Sequence, residues 1–246
     1  MQPPAGRPVT QPSIGARIEQ DLERKILSGA WPPGSRIPYE HQLMEQFSCS
    51  RMTVSKVLNG LSSRGLIVRR SRAGSFVASP SGERSILRIE DLAEVASRTN
   101  QIYRHLILKR QDRPATRRER ADLRLAQKTR VLEVSCRHEL DAVPVAWEER
   151  LIVLSTVSNA AFETFAAVAP GTWLLQHVPW TEAEHVISGL NAGADLAVQL
   201  KIAPGDACLE LHRRTWLQGV VVTDVRLVYA ASRYRFSGRF SPTTSR

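Results

Sequence analysis

Ser50, Arg51, Thr53, Ser55 and Lys56 fall within seven consecutive positions of the stretch SRMTVSKVLNGL, residues 50–61. Val54, Val57, Leu58 and Leu61 recur there at i, i+3, i+4 and i+7, so the spacing predicts a helix with one apolar face. Ser50 is a residue type that caps helix starts. The remaining face carries Arg51, Thr53, Ser55, Lys56 and Asn59. Free amides at a helix start, with the hydroxyls of Ser50 and Thr53, suit phosphate oxygens. Arg51 in the first turn reaches furthest, and a bidentate arginine–guanine contact discriminates between bases by about 1–3 kcal/mol. That chemistry is nucleic-acid reading, provided the surrounding elements present the helix to a groove.

They are of the right kind. Ile14, Ile18, Leu22 and Ile26 recur every four residues, the stripe of an amphipathic helix that Gly29 can end. The run WPPGSRIP forces a turn, and a short helix follows over about residues 39–47, with Leu43 and Phe47 inward and His41 facing a DNA backbone. SCS separates it from the Ser50 helix, which Gly65 stops. LIVRRSRAGSFVAS then alternates as a hairpin, with Arg69, Arg70 and Arg72 exposed and Gly74 at its tip. A glycine there lets the backbone approach a minor groove closely. Three short helices and a basic hairpin make a winged helix-turn-helix.

The charge distribution fits. The chain of 246 residues carries a net charge of +10, with a pI near 10.2, which favours a polyanionic partner. Residues 1–80 hold 11 Lys/Arg against 5 Asp/Glu, whereas residues 131–246 are slightly acidic. The C-terminal half is therefore not the polyanion binder. A second basic run, KRQDRPATRRERADLRLAQKTR, reads as the solvated face of a helix and its connector.

SPSGERS reads as a linker. The division expected is a flexible leader over 1–12, a DNA-binding domain over 13–79, a linker over 80–87 and a second domain over 88–246. In the second domain, RVLEVSCRHELDAVPVAWEERLIV predicts two strands around a turn at 140–143. ACLELHRRTWLQGVVVTDVRLVYAAS predicts another hairpin turning at Gln218–Gly219, and TEAEHVISGLNAGADLAVQL an amphipathic helix. The fold class is α+β, with an antiparallel sheet.

PGSRIP with its following Glu, SRMTV and GLIVRR…GSFVA together resemble the DNA-binding domain of the GntR superfamily of bacterial transcription regulators, over about residues 14–79. TEAEH, ACLELHRRTW and VTDVRLVYAASRYRFSGRF resemble the UTRA effector domain of its HutC branch, particularly the histidine utilization repressors. The resemblance implies an N-terminal winged helix-turn-helix and a chorismate-lyase-like effector domain. It also implies a homodimer on a palindromic double-stranded DNA operator, released by a small carboxylate, urocanate. By the same resemblance Arg137 and Glu148 are effector-binding, with Arg226 as an alternative carboxylate holder and Tyr229 and Glu184 as further contacts. Arginine's fork meets both oxygens of a carboxylate. The chain departs from the family where Tyr39 replaces a capping serine, where His41 and Ser55 stand in place of frequent arginines, where Ser71 replaces the first wing glycine, and where YAAS replaces a Pro-Gly turn.

No nucleophile elbow, phosphate loop or dinucleotide fingerprint is present, so an enzyme is not expected, nor any cofactor. His105, His138, His177, His185 and His212 are not at metal-site spacing with Cys136 or Cys208. Three scattered cysteines without a CxxC pair fit a reducing cytoplasm, and no apolar run approaches the roughly 20 residues of a membrane span. The competing readings are a regulator answering a sugar phosphate or another carboxylate, a lyase-like enzyme on a DNA anchor, and a nucleoid protein binding by basicity alone.

Overall fold

In a computed structural model of the chain, the structure describes residues 13–71, 73–78 and 91–237. The expected leader, the linker and Arg72 lie outside them. The chain divides after Ala78 into two compact units.

The first unit is built as its periodicity dictates. Helix α1 (Ile14–Leu27) buries Ile18, Leu22 and Ile26 completely, each stabilising the fold by about 1.5–3 kcal/mol. Ile14, expected on the same stripe, is 39% exposed because it lies in the first turn, beyond the edge of the core. The helix ends on Ser28, and Gly29 follows at φ 73°. Helix α2 (Glu40–Phe47) buries Leu43, while Phe47 is only half-buried. Tyr39 stands at its N-cap with no side-chain cap. Gln42 supplies the reciprocal half of a capping box, its Oε1 accepting from Tyr39 N–H at 2.8 Å. Helix α3 (Arg51–Ser63) is capped by Ser50, whose Oγ accepts from Thr53 N–H, and buries Val54, Val57, Leu58 and Leu61. Strands β1 (Ile67–Arg70) and β2 (Gly74–Val77) pair antiparallel, Arg70 opposite Gly74. Gly74 has φ +101°, backbone that only glycine adopts without strain.

The second unit is an antiparallel sheet in the order β3-β4-β5-β8-β7-β6. Its strands are β3 (Tyr103–Pro114), β4 (Arg130–Leu140), β5 (Val143–Val153), β6 (Glu182–Asn191), β7 (Ala207–Leu217) and β8 (Val220–Ala230). Two three-stranded meanders thus join along β5 and β8. The β4–β5 turn places Asp141 and Ala142 at positive φ, and the β7–β8 turn does the same with Gln218 and Gly219, as two-residue hairpin turns require. Helices α4 (Leu92–Thr99) and α6 (Pro170–His177) lie on the sheet face that carries Leu211, Leu227 and Tyr229. Helix α7 (Ala194–Leu200) packs on the other face against Cys208, Val228 and Ala230.

Two expectations are corrected. Residues 182–191 form an edge strand and only 194–200 a helix. Glycines at 189 and 193 break a helix, while Val186 and Ile187 favour a strand whose exposure alternates along the chain. The basic run begins as the second half of β3 and becomes helical only in α5 (Arg117–Leu123). That helix starts with a capping box between Thr116 and Glu119, and Arg113 bonds Glu119 as well as Glu133.

Candidate functional site

In the first unit the residues expected to read DNA separate into two grooves. His41, Arg51, Arg70 and Gly74 line one, between α2, the start of α3 and the wing. Thr53, Ser55 and Lys56 line another, shared with the start of α1. The Ser50 hydroxyl, which caps the helix, lies 3.0 Å from that of Thr53. Lys56 is exposed and Ser55 half-buried. His41 stacks on Tyr39 with centroids 5.6 Å apart. The side chain of Arg51 is 81% exposed. Glu40, which the sequence offered only as part of the PGSRIP motif and not as a site residue, bonds both Arg51 and Arg69.

In the second unit a cavity of about 80 Å³ opens between the sheet and the α4–α6 side. A water needs ~10–15 Å³ by this measure, so the space admits a small molecule in place of several waters. Strand alternation decides which side chains enter. Glu148 and Arg150 of β5, Arg213 and Thr215 of β7, and Thr223 and Tyr229 of β8 share the inner face with His138 of β4.

One side of the cavity is a closed polar chain. Tyr103 Oη lies 2.8 Å from His138 Nδ1, and His138 Nε2 lies 3.1 Å from Glu148 Oε2. Arg150 Nε donates to Glu148 Oε1 at 2.6 Å and its Nη1 to Thr223 Oγ1 at 3.3 Å. Burial raises the Glu148 carboxyl, but the Arg150 charge and the bonds from His138 and Arg150 outweigh it, holding the group well below the usual carboxylate range. Burial keeps the Tyr103 and Tyr229 phenols well above theirs, so both remain donors. Asp91 bonds Thr172 across the cavity rim.

The other side is open. The Arg213 guanidinium lies over the Trp180 ring, 5.4 Å from its centroid, and no carboxylate among the described residues pairs with it. Burial, and then the nearby Arg150 charge, push its pKa down to about 10. Trp180 Nε1 and Thr215 Oγ1, both cavity-lining, are buried without a hydrogen-bond partner. Buried polar groups are nearly always satisfied. The Arg213 guanidinium, an indole N–H and a hydroxyl lack partners here, and with Arg150 close by they make this end of the cavity complementary to an anion.

Of the residues expected to hold effector, Glu148 and Tyr229 line this cavity and three do not. Arg137 pairs across the sheet with Trp147 on the opposite face and bonds Glu139 at 3.0 Å. Arg226 stands between Glu149 and His212 on that same opposite face, where Glu149 and Glu210 neutralise it. Glu184 is exposed on the edge strand β6. Their side chains are directed away because each is an odd number of residues from an inward neighbour. The same parity, counted from Glu148, finds Arg150; counted from Tyr229 through the hairpin it would pick Arg214, and the register shift at Thr215/Trp216 is what turns Arg213 inward instead.

Among the described residues no group of histidines, cysteines and carboxylates is placed to hold a metal, and no helix is long and apolar enough to cross a membrane.

Comparison with known proteins accords with both units. Residues 14–77 match the family described as bacterial regulatory proteins, gntR family, and residues 99–235 match the UTRA domain. The chain is 34% identical over 225 residues to the histidine utilization repressor of Klebsiella aerogenes, covering 91% of this chain and 93% of that protein. It is 34% identical over 246 residues to the histidine utilization repressor of Pseudomonas putida, covering 97% and 98%. Among solved structures, the C-terminal domain of the histidine utilization repressor from Pseudomonas syringae pv. tomato superposes with a TM-score of 0.54 at 29% identity, over 57% of this chain and 99% of that one. PhnF from Mycobacterium smegmatis shares the fold over 92% of this chain and all of its own, at a TM-score of 0.58 and 19% identity.

Proposed function

We propose a specific role for a chain that belongs to the gntR family of bacterial regulatory proteins: repression of histidine utilization genes, relieved by urocanate. It is a DNA-binding transcriptional repressor of that family, not an enzyme. The observation that carries the finer reading is the unpaired Arg213 beside Arg150, with the partnerless Trp180 N–H and Thr215 hydroxyl in the same cavity.

Urocanate is planar, with a carboxylate at one end and an imidazole at the other. Its carboxylate supplies the acceptors that Arg213 and Thr215 lack, with the Arg150 charge close by. Its imidazole then faces the polar chain, where Tyr229 can donate to the bare nitrogen and Glu148 or Asp91 can accept from the N–H. Names of three relatives support the histidine connection.

The DNA side follows from α3 and the wing. A homodimer presents two such units to the half-sites of a palindrome. Effector binding and operator binding are then linked, with a coupling of typically 1–3 kcal/mol. An operator gel shift titrated with urocanate tests this. Release of the operator over the urocanate range that saturates a calorimetric titration is expected. Intact operator binding at calorimetric saturation overturns the urocanate reading. A heat-free titration, with a melting shift from a sugar phosphate or another carboxylate, would reassign the effector.

A further inference from the structure

We propose that Glu40 sets the sequence specificity of the DNA-reading face by holding Arg51 and Arg69; this rests on the reading that α3 and the wing meet DNA. Glu40 is the first residue of α2, and its side chain is 26% exposed. Its Oε2 accepts from Arg51 Nε at 3.3 Å and its Oε1 from Arg69 Nη2 at 2.6 Å. Arg69 also donates Nη1 to Asn59 Oδ1. One carboxylate thus joins α2, the recognition helix and the wing.

Two consequences follow for what Arg51 can read. Glu40 takes the Nε edge, so the terminal nitrogens Nη1 and Nη2 are the donors left to DNA. That end-on fork matches the O6 and N7 acceptors of one guanine, and holding it in place lessens the rotamer entropy lost on binding. The carboxylate also lies beside the cations that would otherwise seek phosphate. It repels a backbone phosphate and partly neutralises Arg51 and Arg69, so contact through charge alone is weakened. Arg51 in its Glu40-held pose is favoured when a base edge receives its fork. Glu40 is a positioning residue that lowers indiscriminate affinity more than specific affinity.

The test uses the full chain, a duplex enriched by the wild-type protein from a random-sequence pool, and a scrambled duplex of the same composition. Glu40→Gln removes the charge and keeps the shape. Its expected result is tighter binding to the scrambled duplex, a specific-to-scrambled ratio reduced about tenfold, and a salt dependence steeper by about one phosphate equivalent. Glu40→Asp keeps the charge and shortens the reach; it should retain the wild-type salt slope with an intermediate ratio. A ratio and salt slope unchanged in Glu40→Gln overturn the proposal. Equal weakening on both duplexes overturns it too, since that marks a merely structural residue. Failure of the wild-type chain to enrich any sequence overturns the DNA reading itself.

Discussion

Arg150 and Arg213 are cross-strand neighbours of one residue, Val225, from either side of it. Two guanidiniums therefore rise from one row of the sheet into one cavity. Only Arg150 has a carboxylate, Glu148, at 2.6 Å. Two buried cations sharing one carboxylate cost stability, which an anion in the cavity would offset.

Replacing Arg213 should separate binding from folding. Arg213→Met removes the charge-assisted hydrogen bonds to a carboxylate, each of which contributes about 1.5–3 kcal/mol, so urocanate affinity should fall at least tenfold by calorimetry. The ligand-free melting temperature should rise or stay level, because a buried unpaired cation has gone. Operator affinity without effector should be unchanged, giving a repressor that no longer releases. A lower ligand-free melting temperature would show that Arg213 is a structural residue.

Glu148→Gln should have the opposite signature. It strips Arg150 of its counter-charge in a site where Glu148 is 2% exposed, and breaking a buried pair on one side destabilises by roughly 3–5 kcal/mol. Thermal unfolding of the second unit should shift down by several degrees. Added urocanate should recover part of the loss, its carboxylate standing near Arg150.

Acid should unfold the second unit in a window set by its depressed carboxylates, Glu119, Glu133 and Glu148. Arg113, hydrogen-bonded to Glu119, holds that carboxyl down at about 2, against burial, with help from the Thr116 backbone. Glu148 is depressed as well, chiefly by Arg150 against its burial. A depressed acid contributes stability that is complete above its unfolded pKa and is lost as the pH falls through the folded value. The melting temperature should therefore be flat above about pH 5 and fall between about pH 4.5 and pH 2. Glu119→Gln should lower the plateau and flatten that slope.

How much of this the sequence carries depends on whether a local rule was enough. The stripe Val54, Val57, Leu58 and Leu61 determines α3 without tertiary information, and all four are buried. Turn residues at 141–142 and 218–219 place the hairpins. Helicity over 182–191 fails because period-2 and period-3.6 patterns overlap in a short run, and pairing with β7 settles it. The effector residues fail for another reason. Alternation already separates Arg226 from Tyr229, yet which face is enclosed depends on where α4 and α6 pack, and no local spacing encodes that. Family resemblance identifies Glu148 and Tyr229 but misses Arg150, which parity places beside Glu148, and Arg213, which only the register shift at Thr215/Trp216 turns to that face.

The wing offers the last test, because Gly74 is constrained by backbone and not by space. A Cβ there would meet Arg36 Nε at 3.6 Å, an ordinary contact, but φ is +101°. Alanine at such a φ is strained by about 1–3 kcal/mol, which the β1–β2 hairpin can relieve by opening its tip. Gly74→Ala should then lower the melting temperature of the first unit by only a few degrees, since Ile67 and Val77 still anchor the strands in its core. Operator affinity should fall more than that stability loss explains, because Arg70, opposite Gly74, loses its aim along with its stack on Phe76, now 5.0 Å from the ring centroid. Urocanate binding, which belongs to the other unit, should be untouched. Affinity that falls only in step with the melting temperature would remove the wing from the DNA-reading face.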